Sequence, residues 1–112
     1  MATLSIDTST AYTYVSVFSG GTLHTESFGG ENSHNEKIDI LIRGLLKSDS
    51  RKLGSIILGS GPGSFTGLRI GYAYAKGLAC SLNIPVYHYS SLEAPAYSFK
   101  ESFNKYIITI NY

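Results

Sequence analysis

The chain has 112 residues, 43% of them hydrophobic and 15% charged, with a formal net charge of +1. That length suits one domain able to bury about two thirds of its unfolded surface, and the near-neutral charge argues against both disorder and a general polyanion-binding surface. Cys80 is the single cysteine, so no intramolecular disulfide is available. With no leader-like start and no apolar run near ~18 residues, the sequence points to a soluble, cytoplasmic protein without a membrane partner.

Leu4 to Asp7 reads as a short strand running into Asp7-Thr8-Ser9-Thr10. From Tyr12 to Phe18, Tyr12, Tyr14, Ser16 and Phe18 alternate with Thr13, Val15 and Val17, the period of a strand with two distinct faces. Gly20-Gly21 predicts a tight hairpin, Thr22 to Phe28 a returning strand, and Gly29-Gly30 its end, which makes residues 1–30 a three-stranded antiparallel meander. The period then changes. Ile38, Leu41, Ile42, Leu45 and Leu46 form one apolar stripe of a helix that Asn32 or Ser33 is placed to cap.

Ser55 to Leu58 predicts a fourth strand, feeding a glycine-dense run from Gly59 to Gly71. A second helix is expected from Ser64 to about Asn83, stopped by Pro85. Val86 to Tyr89 predicts a fifth strand, Ser90-Ser91-Leu92-Glu93 the cap of a third helix reaching about Phe99, and Tyr106 to Tyr112 a terminal strand. The order β-β-β-α-β-α-β-α resembles one half of the actin, Hsp70 and sugar-kinase superfamily, an α/β fold of ribonuclease H type with a five-stranded mixed sheet and flanking helices. Residues 1–104 then form one such domain, and residues 105–112 the first strand of a second.

Candidate chemistry sits at two places. Asp7 and the hydroxyls of Thr8, Ser9 and Thr10 stand at the first hairpin, where kinases of that superfamily hold a metal-bound phosphate, but a glycine normally follows that aspartate and here Thr8-Ser9 does. Side chains there obstruct a phosphate seeking backbone N–H groups, and a local turn held by Asp7 and Thr8 is the competing reading. The glycine run lacks the Gly-Lys-Ser/Thr ending of a phosphate-binding P-loop, since Thr66-Gly67-Leu68 stands where the lysine belongs. As a dinucleotide fingerprint it has Ser64 at the third glycine and no acidic residue before Glu93. An anion resting on the first turn of the second helix, near Ser64, Thr66 and Arg69, stays open.

Gly67, Gly71, Ala75 and Ala79 recur every fourth residue along the second helix, a side-chain-poor stripe flanked by Tyr72 and Tyr74. Such a stripe permits close helix approach, either to the domain's own sheet or to a partner subunit. His34 and Glu36 open the first helix without completing a metal-ligand spacing, and His24 and His88 stand apart from any nucleophile. No catalytic set can be assembled from these residues, and no metal site.

Ile6-Asp-Thr-Ser-Thr10, Ser33-His-Asn-Glu36, Gly61-Pro-Gly-Ser-Phe-Thr-Gly-Leu-Arg-Ile-Gly71, Ala75-Lys-Gly-Leu78, Ile84-Pro85 and Ser90-Ser-Leu-Glu-Ala94 together resemble the bacterial TsaB (YeaZ) family. The resemblance implies a role in placing the threonylcarbamoyl group on the tRNA adenosine next to the anticodon. In that pathway TsaC makes threonylcarbamoyl-AMP, TsaD transfers the group, TsaE is an ATPase, and TsaB is a non-catalytic scaffold and activator of TsaD. It further implies a helical interface with TsaD, or with a second copy in a homodimer, carried by Ile38, Leu41, Ile42, Leu68, Gly71, Tyr72 and Ala75. Contact with tRNA is then indirect and the subunit needs no cofactor of its own, with ATP or ADP left open for the assembled complex. A nucleotide-binding phosphotransferase or hydrolase of the same superfamily is the alternative. The chain departs from the family at Asn35, where serine is common, and at Tyr106 to Tyr112, where the second domain's first strand usually ends in Asp-Ala-Arg.

Overall fold

The computed structural model describes residues 1–29, 34–46 and 53–92. The proposed caps Asn32 and Ser33, the third helix beyond Leu92 and the terminal strand 106–112 lie outside the described residues, as do the side chains of residues 34–37. The described residues form seven elements: β1 (Ala2–Asp7), β2 (Tyr12–Ser19), β3 (Thr22–Gly29), α1 (His34–Leu46), β4 (Leu53–Gly59), α2 (Phe65–Leu82) and β5 (Val86–Tyr89). They build one mixed sheet in the order β3-β2-β1-β4-β5, antiparallel between β1, β2 and β3 and parallel between β1, β4 and β5.

Local chemistry explains the boundaries. Gly20 and Gly21 both take positive φ, 57° and 78°, which is what a two-residue hairpin matched to strand twist requires. Ser64 caps α2 by accepting a hydrogen bond from the Gly67 N–H at 3.3 Å. At the other end Asn83 adopts the left-handed conformation (φ 55°, ψ 50°), and the Ile84 N–H returns to the Ala79 carbonyl at 3.1 Å. The helix therefore ends at Leu82 with Asn83 as its cap, close to the expected end at about Asn83 and short of Pro85. β4 begins at Leu53, earlier than Ser55, because pairing with β1 extends past a register shift between Ala2 and Thr3.

Both helices lie on one face of the sheet. Leu4, Ile6, Val15, Val17, Ile56 and Leu58 point into that layer and meet Ile38 and Ile42 of α1 and Ala75 and Ala79 of α2. The helices are tied by a polar clamp in which the Tyr74 hydroxyl donates to Asp39 Oδ1 at 2.8 Å and Arg43 Nε donates to Asp39 Oδ2 at 2.7 Å. Hydrogen bonds from Tyr74 and Arg43 lower the Asp39 pKa, while burial, and then the Asp39 carboxylate, push the Tyr74 phenol up to about 12. A folded-state pKa above the unfolded value of 10.0 means this contribution is complete below pH 10 and is lost as pH climbs towards 12. Urea midpoints measured from pH 9 to 12 should accordingly fall less steeply in Tyr74→Phe than in the parent; parallel curves would remove Tyr74 from the account.

Candidate functional site

The end of β1 and the glycine run meet at the C-terminal edge of the parallel strands, the usual ligand position in open α/β sheets. Here the chain fills that position itself. A side chain on Gly59 would be driven into the Asp7 carboxylate, one on Gly63 into the Ser9 carbonyl, and one on Gly71 into the Thr8 hydroxyl. Three glycines thus make room for three consecutive residues of the β1–β2 turn, which is the close backbone approach that their lack of a Cβ permits.

Hydrogen bonds complete the closure. Asp7 Oδ1 accepts from the Ser9 N–H at 2.9 Å and Asp7 Oδ2 from the Tyr89 hydroxyl at 2.8 Å. The buried Thr8 hydroxyl donates to the Gly67 carbonyl in the first turn of α2, and the Ser64 N–H donates to the Ser9 carbonyl at 2.7 Å. Gly61, at φ 95° and preceding a cis proline, exchanges two bonds with Ser91: its N–H donates to Ser91 Oγ at 3.1 Å and its carbonyl accepts the Ser91 N–H at 2.8 Å. Burial, and then the Asp7 carboxylate, raise the Tyr89 phenol pKa. Sequence reasoning passed over Tyr89; its only signal was the alternation of β5, which puts Tyr87 and Tyr89 on the same side of the sheet as Asp7.

The four anion-site candidates are not gathered. Asp7 is bound to Ser9 and Tyr89, Ser64 is spent on the helix cap, and Arg69 lies over the Phe65 ring at 5.4 Å from its centroid. Thr66 and Arg69 instead line a cleft of about 580 Å³ between the helices, with Ile38, Ile70, Ala73 and Tyr74. On the other flank of α2 a second, more apolar cleft of about 490 Å³ is lined by Leu58, Phe65, Leu68, Arg69, Tyr72 and Ala73 among others.

The proposed interface set also divides. Ile38 and Ile42 are core residues at 1% and 2% exposure, and Ala75 is wholly buried. Gly67, Gly71, Ala75 and Ala79 form the inward stripe of α2, so the side-chain-poor line brings the helix down onto its own sheet. Leu41 and Leu68 are half-buried, and of the seven only Tyr72 is exposed, at 50%. The outward surface of α2 is offset from that stripe: Phe65, Arg69, Tyr72 and Lys76 form a ridge, with Arg69 over Phe65 and Lys76 over Tyr72 at 5.7 Å, beside the exposed small residues Ala73 and Gly77. Tyr72 also stacks on His88 of β5, centroids 6.2 Å apart.

Fold and site together define a module of the actin and ribonuclease H type whose phosphate-loop region is closed by its own first turn. Comparison with known proteins carries this further. The family described as TsaD, tRNA N6-adenosine threonylcarbamoyltransferase, matches residues 18–108. The tRNA threonylcarbamoyladenosine biosynthesis protein TsaB of Escherichia coli is 33% identical over 95 residues, which is 82% of this chain and 41% of that protein. YeaZ from Pseudomonas aeruginosa superposes with a TM-score of 0.83 at 30% identity, covering 90% of this chain and 49% of that one. Thermus thermophilus RuvC, at 13% identity and a TM-score of 0.57, shares the fold alone. The chain belongs to the TsaB (YeaZ) family, and it spans about two fifths of the length of the E. coli relative.

Proposed function

We propose that the chain is a non-catalytic partner subunit in threonylcarbamoylation of the tRNA adenosine next to the anticodon, acting on a TsaD-type transferase that it binds and activates. The observation that carries this reading is the occupied turn: Asp7, Thr8 and Ser9 are each bonded within the chain, and the glycines that would cradle a phosphate are packed against them. The exposed ridge of α2 supplies the docking surface, with Tyr72 and Phe65 as amphipathic and apolar anchors and Ala73 and Gly77 admitting a partner helix closely. A TsaE-type ATPase joins the assembly, tRNA is met through the transferase, and the subunit works in the cytoplasm and pairs with itself when alone. No cofactor belongs to this subunit; ATP or ADP enters only with the assembled complex.

Gly71→Arg is unsuitable as a test, because Gly71 lies against Thr8 in the core. Gly77→Arg is better placed, since nothing lies within 4 Å of a Cβ there. Co-elution of the wild type with the TsaD-type relative of the same organism is expected on size exclusion, and Gly77→Arg and Tyr72→Ala should weaken it about tenfold or more while leaving the circular dichroism melt in place. Absence of wild-type co-elution would sink the partner role. Micromolar ATP or ADP binding by the chain alone, lost in Asp7→Asn, would favour the phosphotransferase or hydrolase reading instead.

A further inference from the structure

α2 comes down on the sheet along Gly67, Gly71, Ala75 and Ala79, and the first two of these carry no side chain. Such a stripe brings a helix close but does little to fix how it is turned about its own axis, because apolar contact is non-directional. A hydrogen bond is directional, and the N-terminal half of α2 receives one from the β1–β2 turn. Thr8 is wholly buried, and its hydroxyl donates to the Gly67 carbonyl, 59 residues further along the chain. The same hydroxyl lies where a Cβ on Gly71 would stand, so it is seated between two positions one helical turn apart. A carbonyl oxygen has two lone pairs, so Gly67 can accept from Thr8 and still accept the Gly71 N–H within the helix. The neighbouring bond from the Ser64 N–H to the Ser9 carbonyl holds the cap residue, just before the helix; the Thr8 bond reaches the helix itself.

We propose that Thr8 is a positioning residue for the docking surface: its hydroxyl sets the rotation of α2 and thereby aims Phe65, Arg69, Tyr72 and Ala73 at the partner. This rests on the reading of α2 as the helix that meets a TsaD-type transferase. Tyr72 projects about 100° around the axis from Gly71, and Arg69 about 200° from Gly67, so both follow whatever holds the two glycines. A rotation of about 20° would carry an atom at the helix's outer radius of about 5–6 Å through about 2 Å. Side-chain contacts do not survive that, since a gap of about 0.5–1 Å already forfeits a quarter to a half of the attraction between two atoms. Glycine in place of Thr8 would have no hydroxyl to donate. The side chain that obstructs a phosphate at this turn is thus the one that holds the helix.

Two substitutions separate positioning from packing. Thr8→Val keeps the shape and removes the hydroxyl, whereas Thr8→Ser keeps the hydroxyl and removes a buried methyl. Both should melt below the wild type, but only valine should turn the helix. In the free full chain the turn is read at the Tyr72–His88 stack, whose ring centroids lie 6.2 Å apart with planes at 27°. The NMR signals of the His88 imidazole, recorded at fixed pH, should move in Thr8→Val and stay in place in Thr8→Ser. Titrated against the TsaD-type relative of the same organism, valine should weaken binding about fivefold or more and serine by no more than about twofold. Gly71→Ala gives a second route, because its methyl would displace the Thr8 hydroxyl. Adding Thr8→Ala removes that collision, so the double variant should melt above Gly71→Ala alone yet bind about fivefold more weakly than the wild type. Unmoved His88 signals in Thr8→Val overturn the proposal, as do equal affinities for Thr8→Val and the wild type. So do affinities that follow the melting midpoints, with serine no better than valine. A wild type that does not bind the transferase strikes the proposed function instead, and the His88 signals still decide whether Thr8 sets the helix.

Discussion

Replacing Gly63 by alanine is expected to lower the unfolding free energy by about 2–4 kcal/mol, which is about 10–25 °C in melting temperature for a domain of this size. The added methyl would collide with the Ser9 carbonyl oxygen, and would lie 2.7 Å from Ser9 Cβ and 2.9 Å from its carbonyl carbon. None of these atoms is the yielding tip of a flexible side chain. Ser9 is 3% exposed and its carbonyl already accepts the Ser64 N–H at 2.7 Å, so neither side of the contact can withdraw without breaking the join between the β1–β2 turn and the start of α2. Gly77 is the control. It lies within α2 with nothing inside 4 Å of a Cβ, and there the same substitution removes only unfolded-state freedom and should stabilise by about 0.5–1 kcal/mol. Opposite signs in thermal or urea unfolding, from one chemical change at two glycines, would assign Gly63 to backbone packing; equal small effects would show that the turn adapts and that the closure is loose.

That contrast marks where sequence reasoning stops. Elements written in local chemistry were legible: Gly20-Gly21 specified the hairpin, the alternation from Tyr12 to Phe18 specified β2 as a strand, and Ser64 specified the start of α2. The direction of the α2 stripe was not. Gly67, Gly71, Ala75 and Ala79 state that something approaches closely, and only the fold states that the something is β1 and β4. The outward ridge of Phe65, Arg69, Tyr72 and Lys76 has the same periodicity offset around the helix, so one pattern of residues served two readings. Likewise, nothing local couples Gly59 to Asp7, Gly63 to Ser9 and Gly71 to Thr8 across more than fifty residues. The carboxylate and the glycine run were each visible as candidates for phosphate chemistry; that Gly59 packs against Asp7, whose oxygens are taken by Ser9 and Tyr89, is a tertiary fact.

Asp7 offers the sharpest separation of those two meanings. Held between the Ser9 N–H and the Tyr89 hydroxyl, its carboxylate joins the end of β1, the following turn and β5, and it lies over Gly59 of β4. Asp7→Ala should cost about 1–3 kcal/mol in urea unfolding, because two part-buried donors lose their acceptor together. Asp7→Asn keeps an acceptor for Ser9 and turns an amide towards a hydroxyl able to accept from it, so its cost should stay within about 1 kcal/mol. A double-mutant cycle of Asp7→Ala with Tyr89→Phe should return a coupling of about 0.5–1.5 kcal/mol, since the two side chains share one bond. An aspartate kept for a metal-bound phosphate behaves differently: its charge is a liability in the free protein, and both substitutions would leave the chain as stable as before or more so. Unchanged midpoints for Asp7→Ala would therefore return the β1–β2 turn to phosphate chemistry, whereas a large cost for alanine and a small one for asparagine fits a carboxylate whose work is to hold the emptied nucleotide frame shut.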